Sequence, residues 1–197
     1  MRKWLVGIDE AGRGPLAGPV SVGVVVAPSA FKTAFKKYAV KDSKKLSEKD
    51  REQWYKWLNK ERREGKLNFA TALVSNQIID KQGIVPAVRL GIKRCLTRLN
   101  LEPEECEVLL DGSLKAPLIF KQQKTIIKGD ETEPIIALAS IAAKVRRDRY
   151  MCRLAPKYPK YNFEIHKGYG TKAHYAALKK HGLSTIHRLS FLTKGVK

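Results

Sequence analysis

Three short apolar runs, each leading to an aspartate, constrain this chain more than any other feature. Trp4-Leu5-Val6-Gly7-Ile8 reaches Asp9 and Glu10, Glu107-Val108-Leu109-Leu110 reaches Asp111, and Thr125-Ile126-Ile127-Lys128-Gly129 reaches Asp130. Short aliphatic and β-branched runs closed by turn residues read as buried strands. The pattern thus predicts three carboxylates at strand ends, where α/β sheets assemble their sites. Strand alternation keeps Asp9 and Glu10 from both facing inward unless the strand ends or bulges there, and Gly12 and Gly14 permit such a break.

Carboxylates that converge without basic partners repel and raise one another's pKa, and a divalent cation removes that conflict. Ligands that are all oxygen suit Mg²⁺ or Mn²⁺ rather than zinc. No His-Glu-x-x-His motif or zinc spacing occurs among His166, His174, His181 and His187, and His187 reads as structural. Cys95, Cys106 and Cys152 are an odd set without Cys-x-x-Cys, so they read as thiols in a reducing compartment.

The acids sit in a strongly basic chain. Its 197 residues hold 39 Lys plus Arg against 19 Asp plus Glu, a formal net charge of +20. From Arg149 to the end the only acid is Glu164, so this is not an interspersed ion-pair network. Such an excess favours a polyanionic partner, above all nucleic acid. Acidic metal ligands inside a basic protein fit phosphodiester hydrolysis, with two metals ~3.5–4 Å apart activating a water and stabilising the leaving oxygen. The apolar content of 43% and the length support one sizeable core without disulfides. No apolar stretch is long enough for a membrane span, and the basic start is too short for a signal peptide, so the chain reads as cytoplasmic and free of membranes.

The remaining pattern predicts an α/β fold with a sheet of mixed direction. Val20–Val26 forms a second strand, antiparallel to the first across the glycine loop, and Asn68–Val74 a third. Helices are expected from Ser47 to about Lys60, over Val85–Leu99, over Ile135 to about Leu154, over Lys172–His181 and over Ser184–Leu192. Gly12-Arg13-Gly14-Pro15-Leu16-Ala17-Gly18 has the wrong spacing for a dinucleotide loop, and a strand follows it. Its missing side chains instead let backbone approach a sugar hydroxyl or a phosphate, with Arg13 held between Gly12 and Gly14.

Gly7-Ile8-Asp9-Glu10-Ala11-Gly12-Arg13-Gly14-Pro15-Leu16-Ala17-Gly18-Pro19-Val20 resembles the signature of the bacterial ribonuclease HII family. So do Asp42-Ser43-Lys44-Lys45-Leu46, Lys128-Gly129-Asp130, Ala139-Ser140-Ile141-Ala142-Ala143-Lys144-Val145-Arg146-Arg147-Asp148-Arg149, Gly168-Tyr169-Gly170-Thr171 and Ile186-His187-Arg188-Leu189-Ser190-Phe191, in order along nearly the whole chain. The resemblance implies an RNase H-like catalytic domain over residues 1–160 with a helical segment over 161–197 packed on it. It implies Mn²⁺- or Mg²⁺-dependent cleavage of the RNA strand of RNA–DNA hybrids, and cleavage 5′ to single ribonucleotides in duplex DNA, leaving 3′-hydroxyl and 5′-phosphate ends.

By the same resemblance Asp9, Glu10, Asp111 and Asp130 are the catalytic, metal-holding acids. Asp148, between Arg147 and Arg149, is left to an intrahelical or phosphate-orienting pair. Gly12, Arg13 and Gly14 fall on the loop that senses the 2′-hydroxyl, which alone separates RNA from DNA at one nucleotide. Tyr169 falls on the junction-sensing tyrosine. Lys44, Lys144 and Arg147 are candidate phosphate contacts. The chain is expected to act as a monomer, and Thr193–Lys197 lacks the glutamine and paired aromatics of a sliding-clamp peptide. Two other readings remain open on sequence: a ribonuclease HIII-like hybrid nuclease without junction specificity, and a non-catalytic nucleic-acid-binding protein.

Overall fold

The computed structural model describes residues 3–31 and 46–192. A mixed five-stranded sheet lies at its centre, in the order β3-β2-β1-β4-β5. β1 (Trp4–Ala11) pairs antiparallel with β2 (Val20–Pro28), and β2 pairs antiparallel with β3 (Asn68–Val74). β4 (Cys106–Asp111) runs parallel to β1, and β5 (Gln123–Ile126) runs parallel to β4 at the edge. The helices are α1 (Glu48–Arg63), α2 (Asn76–Gln82), α3 (Ile84–Leu99), α4 (Gly129–Thr132), α5 (Pro134–Leu154), α6 (Phe163–His166), α7 (Lys172–His181) and α8 (Leu189–Leu192). The Ser47 hydroxyl accepts the Asp50 N–H at 3.1 Å and starts α1 where the sequence expects it.

Strand alternation divides the interior into two layers. Val6, Ile8, Val22, Val24 and Val26 pack against Val88, Ile92 and Leu96 of α3. Leu5, Val25 and Ala27 face the opposite way, against Leu58 of α1 and Ile135, Leu138 and Ala142 of α5. Gly7 and Gly23 lie under α5, and the helix backbone rests almost directly on them. A Cβ at Gly23 would stand 2.2 Å from the Ala139 carbonyl oxygen, a contact with backbone that no rotamer relieves. Gly23→Ala is therefore expected to cost about 3 kcal/mol, read as a lower urea midpoint with little change in slope.

This close approach sets the site, because Asp9 lies two residues beyond Gly7 on the same face and so meets α5. A third apolar cluster joins Leu16 and Ala17 of the glycine loop to Met151, Phe163, Leu178 and Leu192. The C-terminal helices thus close over the loop's outer side. Cys95 and Cys106 are buried, Cys152 is partly buried, and all three are free thiols.

Three expectations change. First, β5 stops at Ile126, so Asp130 does not end a strand. Lys128 takes a left-handed φ of 54°, and the chain folds at once into α4. The cause is Asp111, whose Oδ1 accepts the Gly129 N–H at 2.8 Å and the Asp130 N–H at 3.4 Å. Second, only Leu189–Leu192 of the expected Ser184–Leu192 helix is helical. The His187 ring takes the Ser184 N–H at 2.8 Å, and His187 forms a bridge with Ala17 instead. Third, α2 was not foreseen between β3 and α3; the Ser75 hydroxyl accepts from Ile78 at its start.

Candidate active site

Two neighbouring parallel strands bring the first acids together. β1 pairs with β4 only as far as Ile8 opposite Leu110. Asp9, Glu10 and Ala11 run on beyond that ladder, held by β2 alone, with no bulge in the register. The β4 side is therefore open there, and Asp111 stands at its rim. A cleft of about 230 Å³ results, lined by Asp9, Glu10, Asp111, Gly12, Arg13, Gly14, Ser140, Lys144 and Tyr169. Residues from four sequence motifs thus meet on one surface.

Asp9 is 3% exposed. Its Oδ1 accepts the Glu10 N–H at 2.7 Å, and the Ser140 hydroxyl of α5 donates to its carboxylate. Burial first, and then the charges of Glu10 and Asp111, push the Asp9 carboxyl well above its ordinary range. Burial also raises Glu10, while the Arg13 guanidinium, 3.3 Å from Oε1, pulls it back. Glu10 Oε2 is buried without a hydrogen-bond partner. A buried, unpartnered carboxylate oxygen beside two further carboxylates has the all-oxygen chemistry that suits a hard cation. Among the described residues no three His, Cys, Asp or Glu side chains stand close enough together to hold a metal ion between them as they are placed. Asp130 is 1% exposed and lies outside the cleft lining, linked to it through its backbone contact with Asp111.

The loop that follows β1 is held from behind by two buried arginines. Arg147 of α5 donates through Nε to Pro19 O, through Nη1 to Lys167 O and through Nη2 to Ala17 O, at 2.9, 2.9 and 3.1 Å. Arg188 donates through Nε to Gly18 O, through Nη1 to Arg13 O and through Nη2 to Gly12 O, at 2.9, 2.9 and 2.7 Å. Both side chains are fully buried. This corrects the expectation that Arg147 contacts phosphate: it cannot reach solvent, and it organises the loop instead. A Cβ on Gly12, whose φ is +85°, would strike the Arg147 guanidinium at 2.0 Å, so only glycine fits above the clamp. Burial, and secondarily the Arg147 charge, pushes Arg188 down to about 9, which leaves it protonated at neutral pH. Among the described residues the N–H groups of Arg13 and Gly14 meet no backbone acceptor.

Lys144 lies inside the cleft. Its ammonium pairs with Asp148 at 2.9 Å and stands 5.5 Å from the centre of the Tyr169 ring. Asp148 thus forms the intrahelical pair expected of it. Tyr169, 39% exposed, lines the cleft as well, with the Arg147 guanidinium 5.5 Å from its ring centre. Lys44 lies outside the described residues.

Sequence reasoning missed Ser140 and Arg188. Ser140 is a lone hydroxyl on the buried alanine face of α5, and that contrast was its signal. Arg188 carried none beyond its motif, because a buried arginine in a basic tail looks like any other.

Behind Tyr169 lie three buried histidines, His166, His174 and His187. Burial, then the neighbouring His174, lowers His187 to about 4. Its imidazole resonances should titrate near pH 4 rather than 6.5, read by NMR. The folded state then binds fewer protons than the unfolded chain between those values, so the stability contributed by neutral His187 is lost as pH falls through that window.

Residues 6–194 match the sequence model of ribonuclease HII. The chain belongs to the ribonuclease HII family. A ribonuclease HII of Endomicrobium trichonymphae is 46% identical over 187 residues, 95% of this chain and 84% of that one. Among solved structures, the ribonuclease HII of Archaeoglobus fulgidus, captured in a complex with PCNA, superposes with a TM-score of 0.74 at 27% identity, covering 94% of this chain and 93% of that one. A Bst ribonuclease HIII in complex with Mn²⁺ shares the fold, with a TM-score of 0.68 at 18% identity over 97% of this chain and 68% of that one. The protein is accordingly a ribonuclease H, an endonuclease acting on nucleic acid, with the mixed sheet and flanking helices of its family. Among the described residues no helix is long and apolar enough to cross a membrane.

Proposed function

We propose that this protein cleaves the RNA strand of RNA–DNA hybrids and nicks duplex DNA 5′ to a single embedded ribonucleotide. Water attacks the phosphorus, the bond to the 3′-oxygen breaks, and the products carry a 3′-hydroxyl and a 5′-phosphate. The observation that carries this reading is the cleft itself, which three carboxylates, the Gly12–Gly14 loop, Lys144 and Tyr169 line together.

Asp9, Glu10 and Asp111 would hold Mn²⁺ or Mg²⁺, with Asp130 behind them. The unpartnered Glu10 oxygen and the mutual repulsion at Asp9 support that assignment, as does the Mn²⁺ in the related Bst enzyme. When bound, such a cation supplies the positive charge that favours an attacking hydroxide and offsets charge on the leaving oxygen. The chain's own residues do the rest. The loop's N–H groups and Arg13 meet the 2′-hydroxyl, and Lys144 meets a phosphate without reading sequence. The Tyr169 ring lies against the following deoxyribose, where a second 2′-hydroxyl would clash.

Arg13→Ala should lower kcat/KM for the single-ribonucleotide duplex by about tenfold while changing duplex affinity by less than about threefold, measured by cleavage and by titration. Equal losses in both would remove Arg13 from sensing and leave it a general anchor.

A further inference from the structure

The three histidines behind Tyr169 form a chain of hydrogen bonds whose proton positions follow from backbone groups that cannot change role. At His187 Nδ1 the Ser184 N–H donates at 2.8 Å and the Ser184 hydroxyl stands at 2.8 Å, both closer than the Ser184 carbonyl oxygen at 3.3 Å, so that nitrogen accepts and carries no proton. Neutral His187 must then hold its proton on Nε2, which lies 3.0 Å from His174 Nε2. His174 accepts there, and so holds its own proton on Nδ1, 2.9 Å from the Tyr169 carbonyl oxygen. His166 works in parallel: its Nδ1 accepts the Gly168 N–H at 3.1 Å, and its Nε2 donates to Tyr161 O at 2.6 Å. The rings of His166 and His174 stack at 4.4 Å. One directed line therefore runs from the backbone at Ser184, through two imidazoles, to the residue that bears the cleft's aromatic wall.

Tyr169 needs such a support. It sits between Gly168, with φ +85°, and Gly170, and glycines on both sides leave its backbone little intrinsic preference. Its N–H goes to His166 O, and its carbonyl takes the His174 proton and the Thr171 N–H. Neither His174 nor His187 lines the cleft, and both are buried.

We propose that His174 is a positioning residue that fixes Tyr169 through its backbone carbonyl, and that His187 fixes His174 in the one tautomer able to do so. The proposal rests on Tyr169 standing at the ribonucleotide–DNA junction, and the test separates the two claims. Its readout is the ratio of kcat/KM on a single-ribonucleotide duplex to kcat/KM on an RNA–DNA hybrid, under one metal and one pH.

Tyr169→Ala should lower this ratio about tenfold. His174→Leu, which removes the donor, should lower it similarly, and the double variant no further, because both act through one side chain. His174→Asn places an amide donor where Nδ1 stands and should keep the ratio within about twofold of wild type. His187→Asn still accepts from Ser184 but cannot fix His174, so it too should lower the ratio. It serves if His174→Leu does not fold. Nitrogen-15 NMR of the wild-type protein should show His174 protonated at Nδ1 and His187 at Nε2.

The reverse tautomers would overturn the proposal without any variant. It also falls if Tyr169→Ala lowers the ratio while neither His174→Leu nor His187→Asn does, or if His174→Asn fails as badly as His174→Leu. An unchanged ratio in Tyr169→Ala would defeat the junction reading of Tyr169 and this proposal with it.

Discussion

Asp9→Asn leaves a folded, duplex-binding protein whose cleavage falls by about a thousandfold or more. Asparagine keeps the oxygen that accepts the Glu10 N–H and can still meet Ser140, so the strand end is preserved. What it removes is the central negative charge of the three that line the cleft. Loss of a cation-holding carboxylate at a phosphodiester site costs several kcal/mol of transition-state stabilisation, hence the magnitude. The same change stabilises the metal-free protein by about 1 kcal/mol, since burial and two neighbouring acids disfavour a charge at Asp9. The sign follows from linkage: a carboxyl raised in the folded state keeps its proton where the unfolded chain has lost it. Stability from this group therefore declines as pH rises from the unfolded carboxylate pKa toward the raised one. The advantage of Asp9→Asn over wild type should widen across that interval. Urea denaturation in chelator at several pH values reads it, and single-turnover cleavage reads the catalytic loss.

Arg188→Ala is expected to damage both fold and selectivity. Three backbone carbonyls of the glycine loop, at Gly12, Arg13 and Gly18, lose their donors together, and a cavity opens beneath them. Each buried, unsatisfied carbonyl costs about 1–3 kcal/mol, but removing a buried guanidinium returns part of that, as its lowered pKa of about 9 signals. A net loss of about 3 kcal/mol is the expected result in thermal or chemical denaturation. Arg188→Lys keeps a cation, but an ammonium cannot reproduce the planar fork that spans these oxygens. It should fold better than Arg188→Ala and still lose selectivity for the ribonucleotide. If Arg188→Lys matched wild type in both, the clamp would be packing and nothing more.

Much of this fold is legible in the sequence, for identifiable reasons. β2 is rich in valine, β1 and β3 are short, largely apolar runs, and Ser47 marks its helix start. The run before Asp130 misled because its composition resembles that before Asp111. Yet Ile127 is 85% exposed, and the chain has already left the sheet. A carboxylate eighteen residues upstream decides that turn, by taking the Gly129 N–H, and no local pattern records so distant a partner.

The site shows the same division. Asp9, Glu10, Asp111, the glycine loop, Lys144 and Tyr169 line one cleft, where the strand-end pattern drew the acids together and the family resemblance implied the rest. Arg147 does not join them, because helical position and charge cannot tell a solvated arginine from one clamped beneath a loop. Its role appears only when the carbonyls of Pro19, Ala17 and Lys167 are seen around it.

The central claim is that the acids and the glycine loop form one site that places hydrolysis beside a lone ribonucleotide. Mapping the nick on a DNA duplex with one ribonucleotide, with Mn²⁺ or Mg²⁺, a chelator control and an all-DNA control, tests it most directly. The account predicts a single metal-dependent nick on the 5′ side of the ribonucleotide, with 3′-hydroxyl and 5′-phosphate ends, and none in the two controls. A nick on the 3′ side, cleavage that persists in chelator, or cleavage confined to long RNA–DNA hybrids would contradict it.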